Sequence, residues 1–185
     1  MRKSLIGIAC TLLLASTAGA ATLADVTLPD RVDAGGKSLV LNGLALRKKL
    51  GFSVYVGGLY LVAKEKSAAR ILGADEPRRM VLHFKRDVGG DKMCEAWNEG
   101  LEDNTPKAGP DVKKNFAALC KMMDEVKENK EIVLTYVPGT GTEVSVNGKV
   151  KGTVPGKPTA DAILATWIGP DPGPGEDFKK GVLGG

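Results

Sequence analysis

Short segments with alternating hydrophobic and polar positions recur along the chain, and this pattern predicts β-strands. In the longest early segment, alternate side chains are apolar until the Gly57-Gly58 pair interrupts the pattern. Glycine within a strand indicates either a bulge or the close approach of another group to the backbone. Ser67 is placed to cap a helical turn over residues 67–72. The early strands predicted in this way are residues 26–28, 38–41, 51–63 and 78–87.

The middle of the chain changes to the spacing of amphipathic helices. Cys94, Trp97 and Leu101 recur at positions i, i+3 and i+7, which places them on one helix face. Residues 104–109 contain the loop-forming Asn, Pro and Gly, so a second helix follows a short connection. Its apolar stripe is formed by Val112, Phe116, Leu119, Cys120 and Met123. The two segments therefore predict an antiparallel helix hairpin.

A set of hairpin-connected strands follows the two helices. Asn147-Gly148 separates two alternating segments, and this dipeptide strongly favours a tight β-hairpin turn. The Gly-Thr-Gly sequence just before lies between strands with no helix after it, so it indicates a turn and not a phosphate-binding loop. The strands predicted here are residues 131–137, 142–146 and 149–154.

A final helix is predicted over residues 159–168. Pro158 precedes it, Thr159 is placed to cap it, and Gly169-Pro170 ends it. A Pro/Gly-rich tail follows, in which Phe178 is placed to dock a short last turn. The order of strands, then helices, then strands, then a helix predicts an α+β fold: an antiparallel sheet with helices packed on one face.

The first 20 residues have the features of a secretory signal peptide. Arg2 and Lys3 form a positive start, an apolar segment follows, and Ala18-Gly19-Ala20 is an A-x-A cleavage site. We therefore predict residues 1–20 as a signal peptide and residues 21–185 as one domain, located in the periplasm or secreted. No later apolar stretch is long enough to cross a bilayer, so the mature chain is predicted to lack a transmembrane segment.

The charge of the chain and its few metal-binding residues argue against nucleic-acid binding and metal binding. The 185-residue chain has 26 cations and 22 acidic residues, and loss of Arg2 and Lys3 leaves 24 cations against 22 acids, a net charge of +2. The charges are interspersed, so no nucleic-acid-binding surface is predicted. His83 is the only histidine and lies within a predicted strand, which is a poor basis for a metal site. We predict no metal and no cofactor.

The two cysteines outside the predicted signal peptide bear on the helix hairpin. Cys94 lies about as far before the connecting loop as Cys120 lies after it, so antiparallel helices bring them to similar heights. An exported protein folds in an oxidising compartment, where such a pair forms a disulfide. We predict a Cys94–Cys120 disulfide; the alternative is two buried free thiols.

Three polar residues are candidates for facing an apolar space: Arg47, Tyr55 and Thr166. Arginine can form paired hydrogen bonds to a carboxylate or phenolate, whereas the neighbouring lysines can stay solvated. Thr166 lies on the apolar stripe of the last helix and needs a hydrogen-bond partner, either a backbone carbonyl or a ligand. From its surroundings in the sequence alone, Arg47 is interpreted as an ordinary cation at the entry of a strand.

Three sequence motifs resemble the chalcone isomerase superfamily. LNGLALRKKLGFSVYVGGLYL (41–61) is similar to its N-terminal signature, and AILATWIG (162–169) is similar to its last helix. LHFKRDVGGDKMCEAWNEGL (82–101) looks like bacterial exported chalcone isomerase-like proteins. The resemblance extends over nearly the whole of the predicted mature chain. It implies an open-faced β-sandwich: a large antiparallel sheet with helices layered on one face and a ligand cleft between them.

The resemblance also implies roles for individual residues. Arg47 matches an arginine that in the plant enzymes guides attack of a phenolate on an enone. Thr166 matches a threonine that contacts the substrate, and Asn98 matches a cleft asparagine. Two departures count against catalysis: Tyr55 stands where the enzymes have a threonine, and no tyrosine is found near residue 91, where the enzymes have one.

These observations lead to three hypotheses. The first is an exported, non-catalytic protein that binds a small anionic apolar molecule or lipid, such as a fatty acid, through Arg47, Tyr55, Asn98 and Thr166. The alternative is an intramolecular lyase or isomerase acting on a chalcone-like enone, with Arg47 as the electrostatic catalyst. The third is an envelope protein with no ligand, in which Arg47 pairs with a carboxylate of the fold. The sequence predicts no particular oligomeric state.

Overall fold

A computed structural model of the protein describes residues 19–185. The predicted signal peptide lies almost wholly outside these residues, and its cleavage after Ala20 remains a prediction. The strands are β1 (Ala20–Leu23), β2 (Val26–Pro29), β3 (Arg31–Ala34), β4 (Lys37–Lys49), β5 (Phe52–Leu61), β6 (Arg78–Phe84), β7 (Glu131–Val137), β8 (Gly141–Val146) and β9 (Lys149–Val154). The helices are α1 (Ala68–Gly73), α2 (Gly90–Asn104), α3 (Pro110–Lys121), α4 (Lys157–Ile168) and α5 (Glu176–Val182).

Seven strands form one antiparallel sheet in the order β3-β4-β5-β6-β7-β8-β9, so every strand pairs with its neighbours in sequence. α1 lies between β5 and β6, while α2 and α3 lie between β6 and β7. The helices cover one face of this curled sheet. The predicted α+β fold, with a large antiparallel sheet and a helical layer, is confirmed.

The main core lies between the sheet and the helices. Its largest fully buried side chains come from both layers and include Leu59, Leu82, Phe84, Trp97, Phe116, Leu119, Ile132 and Ile168. A second, smaller core lies on the other face, where the β1–β2 hairpin packs on the sheet. The packing of this hairpin on the sheet was not predicted, because β1 was not recognised in the sequence.

The Gly57-Gly58 pair allows two side chains to approach the middle of β5. A Cβ atom on Gly57 would collide with the Phe178 ring, and one on Gly58 would come within 2.5 Å of Leu28 Cδ1. Both glycines keep their regular pairing with β6. The close-approach interpretation of this pair is therefore correct, and there is no bulge at this point.

Several predicted boundaries were wrong. β5 and β6 are shorter than the predicted strands 51–63 and 78–87, since they end at Leu61 and Phe84. β4 extends to Lys49, so Arg47 lies inside a strand and not at the entry of the next one. α4 begins two residues before Thr159, with Gly156 as its N-cap. Thr159 is buried within the first turn of the helix, and its hydroxyl accepts a hydrogen bond of 2.8 Å from Asn115 Nδ2. Pro158 is tolerated in the first turn because the backbone N–H groups of that turn have no acceptor within the helix, so the N–H that proline lacks is not missed.

In the structure a disulfide bond joins Cys94 of α2 to Cys120 of α3 across the predicted helix hairpin. Within residues 19–185, every helix is too short or too polar to serve as a membrane span.

Candidate functional site

A cleft of about 670 Å³ opens between the sheet and the helical layer. It lies at the end of the sheet where β4 turns into β5, and it is bounded by α2, α4 and the loop of residues 171–174. Small-molecule pockets have volumes of roughly 300–1,000 Å³, so the cleft is of ligand-binding size. Its apolar wall is formed by Val54, Leu82, Met93, Ala96 and Trp97.

Arg47 and Tyr55 are direct partners across the β4–β5 ladder. Directly opposed residues in an antiparallel pair project from the same face, and both side chains line the cleft. Arg47 Nη1 donates a hydrogen bond of 2.6 Å to the carbonyl oxygen of Gly173 in the rim loop. Among residues 19–185, no carboxylate forms an ion pair with Arg47, although the third hypothesis requires one.

The Tyr55 hydroxyl is buried at the base of the cleft. It accepts a hydrogen bond of 3.0 Å from Trp167 Nε1 of α4. Since an indole N–H only donates, the phenol keeps its own hydrogen, and no acceptor for that hydrogen is found among the described residues. Tyr55 can therefore donate a hydrogen bond to a ligand.

Burial raises the pKa of Tyr55 to about 12. The hydrogen bond from Trp167 and the nearby positive charge of Arg47 oppose this shift without cancelling it. Tyr55 is therefore a neutral donor throughout the physiological pH range. Its ring is fixed by two aromatic neighbours, Phe84 at 5.5 Å and Phe178 at 5.7 Å between ring centroids.

Thr166 also lines the cleft, but its hydroxyl already has a partner. Its Oγ1 donates a hydrogen bond of 2.8 Å to the carbonyl oxygen of Ile163, which is the backbone alternative foreseen from the sequence. The methyl side of Thr166 contacts α2 at Gly100, where an added Cβ would lie 2.6 Å from Thr166 Cγ2. Glycine at this position lets α2 and α4 meet closely above the cleft.

Asn98, predicted as a cleft residue, does not line the cleft. The cleft-facing residues of α2 include Ala96, Gly100 and Asp103, and helical geometry places Asn98 on the opposite side. Its side chain is exposed beside the disulfide, with Nδ2 at 3.6 Å from Cys94 Sγ.

Asn104, at the end of α2, is the asparagine that organises the cleft. Its Nδ2 donates to the carbonyl oxygens of Gly100 (3.0 Å) and Asp171 (2.7 Å), and its Oδ1 accepts from the Asp171 N–H at 2.9 Å. These bonds fix the start of the rim loop, whose Gly173 is bonded to Arg47. The sequence showed Asn104 only as a loop-forming residue, because its partner in the rim loop, Asp171, is 67 residues away.

Trp97 leaves one buried donor without a partner at the wall of the cleft. Its side chain is almost wholly buried and packs edge-on against Trp167, with ring centroids 5.1 Å apart. Its Nε1 makes no hydrogen bond to any of the described residues. Buried indole nitrogens usually have an acceptor, so this N–H is an unsatisfied donor behind the apolar wall.

The charges around the cleft are mixed, and some are already paired. Lys92 forms an ion pair with Glu95 at 2.7 Å, and Asp87 pairs with Lys127 at 2.9 Å. The backbone N–H of Glu128 and the Lys127 ammonium lower the pKa of Asp87. The remaining acidic residues of the lining, Glu99, Asp103 and Asp171, come from α2 and the rim loop, while Arg47 is the cation next to Tyr55.

His83 lies on the other face of the sheet, opposite Val56 of the smaller core. Its Nδ1 is 3.0 Å from Glu131 Oε1. No group of three or more His, Cys, Asp or Glu side chains within residues 19–185 is arranged to hold a metal ion.

Comparison with known proteins identifies the family and the fold. The sequence model of a family described as chalcone isomerase-like matches residues 20–184. A solved structure of a fatty-acid binding protein from Arabidopsis thaliana has the same fold, with a TM-score of 0.65 and 19% sequence identity. The match covers 89% of this chain and 98% of the plant protein. Comparison with curated protein sequences finds no significant match.

Proposed function

The chain belongs to the chalcone isomerase-like family, and we propose that it is a non-catalytic member that binds a small anionic apolar ligand such as a fatty acid. One observation carries this proposal. The Arg47 guanidinium and the Tyr55 hydroxyl are cross-strand neighbours on a cleft whose wall is largely apolar. A cation and a neutral donor beside an apolar cavity suit a carboxylate attached to a hydrocarbon chain.

The carboxylate would accept hydrogen bonds from both groups. Arg47 uses one N–H for Gly173 and retains others for a ligand, because guanidinium has five donors. Tyr55 would donate its hydroxyl hydrogen, for which the described residues provide no acceptor. A hydrogen bond to a charged group is worth about 1.5–3 kcal/mol. The hydrocarbon chain would lie along Val54, Leu82 and Met93, where burial adds about 25 cal/mol per Å² of apolar surface.

Support also comes from the structural relative, which is a fatty-acid binding protein. At 19% identity this likeness concerns the fold, so the ligand class of this chain is argued from its own cleft.

The second candidate is a lyase acting on a chalcone-like enone, and it rests on the same arginine. Arg47 beside an apolar cleft could stabilise a developing oxyanion. Tyr55 argues against it, since with a pKa of about 12 its phenol stays protonated at neutral pH and its ring occupies space where the enzymes have a threonine. Turnover of naringenin chalcone above the spontaneous rate, lost in Arg47→Ala, would establish this candidate in place of the first.

We further propose that the protein is exported, with residues 1–20 removed and residues 21–185 forming the mature domain in the periplasm or outside the cell. The intact mass of the protein recovered from cells that express the full chain tests this. A mass corresponding to residues 21–185 supports export, and the mass of the whole chain contradicts it.

The ligand proposal is tested by native mass spectrometry and organic extraction of the protein recovered from cells. We expect a co-purified fatty acid, and we expect Arg47→Ala to weaken its binding roughly tenfold to a hundredfold through loss of the charged hydrogen bond. Arg79→Ala is the matched control. Arg79 also donates to a backbone carbonyl, that of Asp33 at 3.0 Å, but it does not line the cleft.

The control separates a lost ligand contact from a general loss of stability. If both variants lose the ligand equally, or if the wild-type protein neither contains nor binds a fatty acid, the proposal is wrong.

A further inference from the structure

The turn between β4 and β5 exposes two large apolar side chains. We define the hairpin tip as residues 48–52, with the sequence KKLGF. Leu50 is 90% exposed and Phe52 is 62% exposed. In the part of the chain that the structure describes, Val150 is the other large hydrophobic residue that is mostly exposed. Single exposed apolar residues are common on proteins, but adjacent ones at a protruding turn are a candidate interaction site.

The backbone at Leu50 is unusual for this residue type. Lys49 pairs with Phe52, so Leu50 and Gly51 form a two-residue turn, and their φ angles are +51° and +83°. Asn147-Gly148 forms a similar turn with φ angles of +53° and +76°. A left-handed conformation favours Asn and is uncommon for a large residue such as leucine. Leucine at this position is therefore unfavourable for the turn, which indicates that its side chain serves another purpose.

Three exposed cations surround the apolar tip. Lys48, Lys49 and Arg86 are all exposed, and none forms an ion pair with a residue from 19 to 185. The Arg86 guanidinium lies 5.4 Å from the centre of the Phe52 ring. Asp87, the acidic residue that directly follows Arg86 in the sequence, is already paired with Lys127. The tip thus combines protruding apolar groups with unpaired positive charge, which is the chemistry that anionic lipid surfaces attract.

The tip also stands at the opening of the cleft. Lys49, Leu50, Phe52 and Arg86 all belong to the cleft lining. A membrane that contacts the tip would therefore face the opening of the cleft directly. An apolar anionic molecule dissolved in that membrane could enter the cleft without crossing water.

We propose that the hairpin tip docks the protein on anionic lipid surfaces. Leu50 and Phe52 enter the interface between lipid headgroups and acyl chains, while Lys48, Lys49 and Arg86 contact lipid phosphates. The proposal rests on the exposure, backbone and charge of the tip, and it does not depend on which ligand occupies the cleft.

Flotation of the protein with phospholipid vesicles tests the proposal. We expect binding to vesicles of phosphatidylcholine mixed with phosphatidylglycerol, and much weaker binding to vesicles of phosphatidylcholine alone. Each cation near an anionic surface contributes roughly fivefold to binding, so Lys48→Gln with Lys49→Gln should weaken it by roughly 25-fold. Raising the salt concentration should have a similar effect, because salt screens surface charge.

Leu50→Asn is the decisive variant, because it removes the apolar group while giving the turn its preferred residue. We expect vesicle binding to fall about tenfold. We expect the melting temperature to stay the same or rise, so that misfolding cannot explain the loss. Val150→Thr is the matched control, since Val150 is likewise an exposed apolar residue next to lysine, but lies in β9 at the far edge of the sheet. It should bind vesicles like the wild type.

Three outcomes would overturn the proposal. The wild type could fail to bind vesicles that contain phosphatidylglycerol, or Leu50→Asn could bind them as well as the wild type. A dimer that Leu50→Asn converts to a monomer, measured by light scattering, would assign the tip to a second copy of the chain instead. All variants carry the same N-terminal segment, so a difference in vesicle binding between them comes from the substituted residue.

Discussion

The Tyr55 hydroxyl accepts a hydrogen bond of 3.0 Å from the Trp167 indole nitrogen, and this bond joins strand β5 to helix α4 at the base of the cleft. The direction of the bond matters for function. Because the indole nitrogen is the donor, the phenol hydrogen is left to point at something else. The same bond that fixes the position of Tyr55 therefore leaves it able to donate to a ligand.

Replacing Tyr55 by Phe should lower both stability and affinity. The ring contacts with Phe84 and Phe178 would remain, but Trp167 Nε1 would lose its acceptor in a buried place. An unsatisfied buried donor costs about 1–3 kcal/mol, so the free energy of unfolding in urea should fall by that amount. Loss of the donor to a carboxylate should weaken fatty-acid binding by about 2 kcal/mol, or roughly thirtyfold, as measured by calorimetry.

Tyr60→Phe serves as the control for this variant. Tyr60 is also buried, but it belongs to the smaller core, and its hydroxyl donates to the Pro29 carbonyl at 2.8 Å. It should lose about 1 kcal/mol of stability and keep its affinity. Equal affinity losses in both variants would show that Tyr55 acts through stability and not by contacting the ligand.

The tyrosines also predict how stability depends on pH. Burial is the largest cause that raises the pKa of each of the three, Tyr55, Tyr60 and Tyr136, from 10.0 to about 12. Between these values the unfolded chain has released protons that the folded protein still holds. Stability is therefore complete below about pH 10 and falls as the pH rises towards 12. The absorbance of tyrosinate should stay low in the folded protein at pH 10; ionisation there would contradict the burial of these hydroxyls.

The sequence predicted most strands and helices because their signals are local. Asn147-Gly148 sets its hairpin by its own backbone preference, and both residues have positive φ in the structure. Gly57 and Gly58 indicated that other side chains approach the backbone of β5 closely, because a glycine has no Cβ atom to prevent such an approach. The strand was predicted to stop at residue 41 because Asn42-Gly43, where the register shifts, is typical of a turn, and Arg47–Lys49 then form a polar run that hides the strand pattern. Only pairing with β5 shows that these residues continue the sheet.

The candidate site was predictable only in part, because it depends on how elements rotate and meet. Arg47, Tyr55 and Thr166 do line one cleft. Asn98 does not, since a likeness of motif does not fix which side of a helix faces the cleft. The role of Asn104 depends on a loop far away in sequence. Leu50 is unremarkable in the sequence, and only its positive φ and its place at the opening of the cleft make it a candidate for function.

The Cys94–Cys120 bond should contribute substantially to stability. It closes a loop of 26 residues, and the lost entropy of the unfolded chain corresponds to about 3–4 kcal/mol. Cys94→Ala with Cys120→Ala should reduce the free energy of unfolding by about this amount.

Thiol titration under denaturing conditions checks the bond itself. A protein that has lost Cys10 with the signal peptide should show no free thiol before reduction and two after it. Two free thiols in the unreduced protein would restore the alternative of buried free cysteines.

The two asparagines of α2 distinguish between two assignments of the site. Asn98 was assigned to the cleft from the resemblance of motifs, and Asn104 from its hydrogen bonds in the structure. Asn104→Ala removes three hydrogen bonds, of which two hold Asp171 at the start of the rim loop. The loop carries Gly173, the carbonyl partner of Arg47, so its release should leave Arg47 less well positioned. We expect fatty-acid affinity to fall by up to roughly thirtyfold, since a typical hydrogen bond contributes about 1 kcal/mol and two are lost from the loop. Asn98→Ala, on the exposed side of the same helix, should bind like the wild type. If calorimetry instead shows the larger loss in Asn98→Ala, the ligand site lies on the disulfide side of α2, and the cleft described above is not where the ligand binds.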